Sequence, residues 1–397
     1  LKTALELITQ FLAKGDFSVK VNILGGGPAG LYAAYRIRRD LPNSEVQVFE
    51  QNDAHTTFGF GVVFSDKALE FLRAGDSETL DLITAGLESW SDIEINIHGE
   101  RIRIDGIGFT GIARLTLLNI LREQALSVGA KLINSHVVKD LAELDDADLV
   151  IGADGVNSLV RKTHEAEFGT EIKLLENRFA WFGATRPFDA LTQTFKQHDG
   201  GFFNAHHYRY TPDMSTFLVE VDAQTFQKAG LEDMSEEQSR VYCENVFADT
   251  LAGAKLITNK SLWRRFPVVS NKNWTVGHRV LLGDALRTAH FSIGSGTRLA
   301  LEDVQALSQA LCAHPDNVAD ALAAYETQRR PIVDKLASAA TRSATWYDNF
   351  PTHMQLPAWE FAMNYISRSG RIDHERLRAM SPQFVAGYEA WKATAAS

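Results

Sequence analysis

The residues best placed for chemistry in this 397-residue sequence are glycines and single acids set at the ends of apolar runs. Gly25, Gly27 and Gly30 stand at GxGxxG spacing directly after the apolar residues 19–24, and Glu50 follows Gly30 by 20 residues. At such a spacing the first glycine permits a tight turn, the second lets backbone approach a pyrophosphate, and the third lets a helix pack on its strand. The spaced acid takes a ribose hydroxyl. Pro28 and Ala29 begin the helix, where a missing N–H does no harm, and Pro42 ends it near Leu41. The helix start directs its N–H groups at phosphate. Strand, helix and acid together predict a dinucleotide site; a glycine turn with no ligand is the competing reading.

Two more acids sit at strand ends. Asp154-Gly155 follows the apolar residues 147–152, with Ser158 and Arg161 three and six residues beyond the glycine. Alone, that string reads as a strand-to-helix turn capped by an aspartate. Asp284 ends an apolar run at 280–283, and Gly294, Ser295, Gly296 and Thr297 lead into a helix over 297–312. His290 and Phe291 lie between. His206, His207 and Tyr208 are consecutive on an expected strand, where neighbours point to opposite faces, so at most one of the two histidines can line a pocket. A buried structural imidazole is the alternative for all three histidines.

Composition limits the rest. Hydrophobic residues make up 45% and charged residues 23%, as in a globular protein with a sizeable core. A formal charge of −10 argues against a general nucleic-acid surface. The two cysteines, Cys243 and Cys312, build neither a disulfide framework nor a thiolate metal site, and no iron-binding pattern of histidines and carboxylates stands out, so no metal is expected. With no apolar run near ~18 residues and no leader pattern, a cytoplasmic protein without membrane contact is the expectation.

The elements that must position these residues follow from periodicity. Residues 51–65 read as a glycine-bearing loop, 66–73 and 78–85 as short helices, and 91–97 with 101–105 as a hairpin around His98-Gly99-Glu100. Residues 113–127 read as a helix, and 131–135 and 147–152 as further strands of the nucleotide sheet. Residues 176–187, 200–210 and 215–221 are strand-like and aromatic, 235–250 helical, 274–282 a strand, and the Ala-rich 336–345 with the following tail helical. Leu1, Leu5, Ile8 and Leu12 sit at helical spacing, but residues 1–18 stay unassigned.

Taken in order, the GxGxxG run, the ADGVNSLVR string and VLLGDALRTAHFSIGSGTRLA resemble the three fingerprints of the single-component FAD-dependent aromatic hydroxylases. The resemblance covers about residues 19–330. It implies an α/β fold: a Rossmann-like FAD-binding domain of the para-hydroxybenzoate-hydroxylase type, an antiparallel-sheet substrate domain and a C-terminal helical region. The FAD domain would be discontinuous over 19–75, 106–170 and 275–335, the substrate sheet would take 76–105 and 171–274, and the helical region 336–397. Cofactor-binding residues carried over are Gly25, Gly27, Pro28, Ala29, Gly30, Glu50, Arg114, Asp154, Asp284, Gly294, Ser295, Gly296 and Thr297. In this reading Arg114 reaches the cofactor phosphates, Asp284 the ribityl chain, and the helix start after Gly294 the flavin edge, where N–H groups stabilise negative charge.

The third fingerprint departs from the common form: Leu286-Arg287 replace Ala-His, and His290-Phe291 occupy proline positions. HFSIGSG, TTFGFGVVFSD and MSTFLVEV resemble a narrower branch containing salicylyl-CoA 5-hydroxylase, 2-aminobenzoyl-CoA monooxygenase and a violacein-pathway indole hydroxylase. The resemblance implies consumption of NADH or NADPH and O2, a flavin C(4a)-hydroperoxide, and oxygen insertion into an electron-rich ring. An aryl-CoA thioester is the expected substrate. An indole, a free aromatic acid and an inactive FAD-binding partner protein are the alternatives; a halogenase is disfavoured by the missing WxWxIP string. His290 and Phe291 are the expected catalytic residues, with His206, His207 and Tyr208 at the substrate. Arg264, Arg265, Arg368, Arg371, Arg376 and Arg378 are available for thioester phosphates. A monomer or homodimer is expected.

Overall fold

The structure, a computed structural model, describes residues 18–54, 56–65 and 68–395. The helical pattern at residues 1–18 falls almost wholly outside them. Strand Lys20–Leu24 lies inside a six-stranded sheet ordered Thr275–Val276, Arg279–Leu281, Leu149–Gly152, Lys20–Leu24, Glu45–Phe49, Lys131–Ile133. All neighbours run parallel except the outermost pair. Val21, Ile23, Val150 and Ile151 are fully enclosed, as expected of parallel strands covered on both faces. Helices Pro28–Asp40, Arg114–Ser127 and Gly296–Ala313 supply the cover. The chain order reverses beside Lys20–Leu24, and the strand ends there form the crevice where doubly wound sheets bind ligands.

A second, eight-stranded sheet stands against this unit. It carries Thr170–Ala184, Ser215–Val221, Gly201–Arg209, Leu191–His198 and the hairpin Ile93–Ile97/Glu100–Ile104, with Arg264–Asn271 and Leu256–Ile257 both paired to Thr170–Ala184. The hairpin turns through His98 and Gly99, both at positive φ, as a two-residue turn between twisted strands requires. One face of the sheet buries Phe182, Phe203, Phe217 and Val219 against helices between residues 223 and 251. The other face looks towards the cofactor sheet and the C-terminal helices.

Two expectations need correction, and one strand was not anticipated. Residues 61–65 are a strand rather than a loop: Gly61–Ser65 pairs antiparallel with Phe109–Ala113 and buries Val62 and Phe64. The strand over 274–282 is split by a turn at Gly277 into two short antiparallel pieces. Leu191–His198 was hidden because Thr192, Gln193 and Thr194 are all buried, which erases the polar–apolar alternation that marks a strand.

The C-terminal region is helical. A 31-residue helix, Val318–Asp348, runs through Pro331, and Ala358–Ser367, His374–Met380 and Pro382–Ala395 follow. Phe350, Phe361, Tyr365 and Phe384 pack on Ile95, Ile97, Ile102 and Ile104 of the hairpin. Asp105 caps the last helix from a distance: its carboxylate accepts from the backbone N–H of Phe384 at 2.8 Å and Gln383 at 3.3 Å. Next to it, a Cβ on Gly106 would lie 2.0 Å from the Met380 carbonyl oxygen, so only glycine admits this approach. No described helix is long and apolar enough to cross a membrane.

Asp105→Ala leaves the last helix without its cap, at a cost of about 1–2 kcal/mol. Limited proteolysis should then cut after Met380 faster than in the parent protein, with the melting temperature lowered by a few degrees. Identical cleavage kinetics would show that side-chain packing alone holds the helix.

Candidate active site

The strand ends of the parallel sheet meet more closely than ordinary residues allow. Gly25 has φ +107°, and a Cβ there would lie 2.3 Å from the Ala153 carbonyl oxygen; a Cβ on Gly30 would lie 1.9 Å from the carbonyl oxygen of Gly25. These two glycines are demanded by the fold. Gly27 and Gly296 differ, because an added Cβ would meet no atom within 4 Å; Gly155 has the same open space but needs glycine for its φ of +76°. All three border a cavity of about 320 Å³, which Pro28, Ala29, Ala153, Arg114, Asp284, Gly294, Ser295 and Thr297 also line. Glycine here keeps space open for something held against backbone.

That donor set suits FAD. Helices Pro28–Asp40 and Gly296–Ala313 both begin without a side-chain cap, so their first N–H groups face the cavity. Arg114 starts its helix, with its backbone N–H fixed to the Phe60 carbonyl at 2.8 Å, and its guanidinium looks into the cavity. Seclusion from bulk water holds that guanidinium below the ordinary arginine range, opposed by Asp284. Asp284 is open to the cavity yet deep in the molecule. Desolvation raises its carboxyl, and Arg114 and Arg287 draw it back down. A cation and an acid that face one enclosed space with backbone donors around them fit the phosphate and polyol parts of the cofactor.

Two expected cofactor residues stand behind the lining. Glu50 accepts from the Gly26 N–H at 2.7 Å and from the Asn52 N–H at 2.8 Å, and so stiffens the glycine turn. Asp154 accepts from the Leu159 N–H at 2.6 Å and so braces the turn, the helix that follows being capped by Ser158 through the Arg161 N–H, while its neighbours Ala153 and Gly155 reach the cavity.

Strand alternation sorts the histidines. His206 and Tyr208 line the cavity with Thr216 and Leu218 of the adjacent strand and Trp181 beyond. His206 is 6% exposed and its Nε2 has no hydrogen-bond partner. Tyr208 donates to the Gly61 carbonyl at 2.9 Å. His207 is removed from the substrate side: it stacks on Phe217 at 5.2 Å and bonds Thr194 Oγ1 at 2.9 Å on the opposite face. His290 also lies outside the lining. It sits behind Phe291, with Nδ1 2.8 Å from Ser292 Oγ, and Ser292 continues to Ser343 and Arg368. Phe291 does line the cavity, clustered with Phe179 and Phe266 at ring distances of 5.2 and 5.9 Å. Phe179 and Phe266 were not anticipated; they become visible only once Thr170–Ala184 and Arg264–Asn271 are paired, since alternation then turns both inward.

A smaller chamber of about 120 Å³ shares Val63, His206, Phe291 and Gly294 with the first cavity. Its further walls are Ile93, Leu191, Ile366 and Ile372, with Arg368 and Arg371. A larger groove of about 590 Å³ at the hairpin shares no residue with either and none with the fingerprints.

The sequence comparisons agree with this geometry. Residues 116–340 match the family model described as FAD binding domain, and residues 23–57 the one described as NAD(P)-binding Rossmann-like domain. Salicyloyl-CoA 5-hydroxylase from a Streptomyces species is 38% identical over 94% of this chain and 74% of its own. A 3-hydroxy-4-methyl-anthranilyl-[aryl-carrier protein] 5-monooxygenase from Streptosporangium sibiricum is 36% identical over 90% and 97%. Protodeoxyviolaceinate monooxygenase from Chromobacterium violaceum is 32% identical over 88% and 94%.

Two measurements test the site. Asp284→Ala should purify with less than half the flavin of the parent protein; equal flavin content would remove Asp284 from the cofactor shell. The buried imidazoles set the acid limit. Burial lowers His206 and His290 from 6.5 to about 3 and drives His207 in the same direction. Stability from such groups is complete above pH 6.5 and lost as pH falls, on the order of 2 kcal/mol for each at pH 5. Glu220, raised by burial to about 8, works the other way, strengthening the fold as pH drops from 8 to 4.5. Asp154, Asp284 and Asp348 are raised in the same direction as Glu220, so the test uses Glu220→Gln, which removes the strongly raised acid: its melting temperature should fall between pH 7 and pH 5, and a flat profile would refute the neutral buried imidazoles. With its cradle, its charges and its relatives in agreement, the chain belongs to the FAD-dependent aromatic hydroxylases of the flavoprotein monooxygenase family.

Proposed function

We propose that this monooxygenase hydroxylates an aromatic ring carried as an acyl thioester, such as a salicylyl or 2-aminobenzoyl thioester. The observation that supports it is the charge of the two chambers. Among the described residues lining them, the arginines and lysines are Arg114, Arg368 and Arg371. Arg114 belongs to the Asp284 end. Arg368 is engaged from all three nitrogens, to Ser343 Oγ at 3.1 Å and to the Tyr365 and Ser292 carbonyls at 2.8 Å each. Arg371 stands at the outer rim. A free carboxylate beside the ring would find one inner cation, Arg368, whose three nitrogens are already committed to neutral acceptors, so its burial would be poorly compensated. A thioester is neutral, and its arm needs the outward path that the second chamber provides.

Bound FAD supplies the oxygen chemistry, driven by NAD(P)H. The chain's own residues orient and shield. Phe179, Phe266, Phe291, Trp181 and Leu218 present an apolar wall that holds a flat ring and excludes water. His206, kept neutral by burial, offers Nε2 as a hydrogen-bond acceptor for a ring hydroxyl or amine; that bond, with no proton transferred to the imidazole, orients the ring and raises electron density on the carbon under attack. Tyr208, bonded to Gly61, fixes the strand beside it. His290 holds the 290–294 loop, and through it Phe291, in place.

The test pairs free salicylate, 2-aminobenzoate and an indole with the CoA thioesters of the two acids, reading NAD(P)H oxidation and product mass. A gain of one oxygen on the thioesters alone is expected. Oxygen insertion only on a free acid or the indole, or flavin binding with no turnover on any of them, would overturn the proposal. On an accepted substrate, His206→Ala should lower kcat roughly tenfold or more while flavin content stays at the parent level; an unaltered kcat would exclude His206 from the reaction.

A further inference from the structure

The second chamber leads from His206 to a turn crowded with arginines. Arg371 lines the chamber at its exposed rim, and its guanidinium makes no hydrogen bond or ion pair to the described residues. Partial burial and the neighbouring cations Arg298 and Arg376 hold it below the ordinary arginine range. Arg376 donates to the Arg371 carbonyl at 3.3 Å, and Arg342 to the Ser369 carbonyl at 2.8 Å. The acids nearby have other tasks. Glu302 bonds Arg298 at 2.7 Å and Arg329 at 3.0 Å, and Asp373 caps the following helix through the Arg376 N–H. The remaining arginines singled out from sequence are tied elsewhere: Arg368 bonds inward, Arg378 pairs with Glu389, and Arg265 holds the Leu174 and Leu175 carbonyls and Glu176. Arg264 is exposed but lines neither chamber.

We infer that Arg371, backed by Arg298 and Arg376, binds the phosphate of a phosphopantetheine arm whose acyl group lies beneath His206. The inference rests on the thioester reading above. The arm is an uncharged amide chain that suits a passage walled by Ile93, Leu191, Ile366 and Ile372, and its phosphate would emerge at Arg371, which has no acidic partner among the described residues and stands beside Arg376 and the Glu302-paired Arg298. Guanidinium groups match phosphate in geometry as well as charge. The same phosphate is present in coenzyme A and on a carrier protein.

The experiment uses the FAD-loaded enzyme and one acyl group, salicylyl, on four carriers: pantetheine, phosphopantetheine, coenzyme A and an aryl carrier protein. KM for the phosphopantetheine thioester should lie roughly 10- to 100-fold below that for the pantetheine thioester, with similar kcat. Arg371→Ala should erase that ratio by raising KM for the phosphorylated arm, and Arg371→Lys should restore part of it. Free coenzyme A, titrated calorimetrically as a probe, should bind the Arg371→Ala protein about tenfold more weakly. A further drop in KM with coenzyme A, or with the carrier protein, supports the shared phosphate site and identifies the natural carrier. Equal KM values with and without phosphate, or a ratio that survives Arg371→Ala, would overturn this inference while the thioester reading stands. No turnover on any thioester would overturn both.

Discussion

Backbone crowding around Gly25 is the constraint on which the rest of the site depends. Ala153 and Gly30 approach it so closely that a single methyl group at either glycine would collide with a carbonyl oxygen. The contact fixes the helix Pro28–Asp40 on its strand, and with it the direction of that helix's first N–H groups. It also places the turn at Ala153–Gly155 beside the first, and the Leu282 N–H bonded to Gly152 carries the Asp284 segment into the same space. Three segments far apart in sequence are brought to one crevice by contacts that leave no room for side chains. The open glycines then use the position so created.

Charge is distributed along the site by depth. Arg114 and Asp284 occupy the end where a charged cofactor would sit, and each is pulled from its usual ionisation by seclusion and pulled back by its opposite. The middle is aromatic and neutral, with an imidazole that burial keeps uncharged. On the helix Gly296–Ala313, Asp303 is fully buried between Arg287 and Arg329, which locks the Asp284 turn to that helix and to the long C-terminal helix. A buried carboxylate with two guanidinium partners is costly to break, so this junction is rigid.

The cofactor half was legible in the sequence because its requirements are local. A glycine spacing, a proline at a helix start and an acid at a strand end each report on their own neighbourhood, and GxGxxG, Asp284 and Gly294–Thr297 converge as their strings imply. The substrate half depends on pairing. Leu191–His198 has no alternation to read because the protein buries its polar residues on both faces, and Phe179 and Phe266 acquire a direction only from the register between their strands. The adjacency of His206 and His207 showed that one must face away but not which. That is decided by Phe188 and Phe217, which enclose His207 on the core side. His290 sits in a string that matches a reactive loop, yet its ring is turned to serve Ser292 instead.

The last helix begins at its own Ser381, whose hydroxyl is buried without a partner, while Asp105 performs the capping. The end of the chain is thereby fastened to the hairpin of the eight-stranded sheet, and not to the parallel sheet. The units built on the two sheets remain joined elsewhere, through the Tyr208 bond to Gly61 and the Arg329–Asp303 pair, so this fastening governs the chain end alone. Selection can reshape the closing helices and the hairpin together, as one inherited cassette, provided one carboxylate and two amides stay in register. Variation in the chain end and variation in the hairpin are then tied to one another by a single carboxylate.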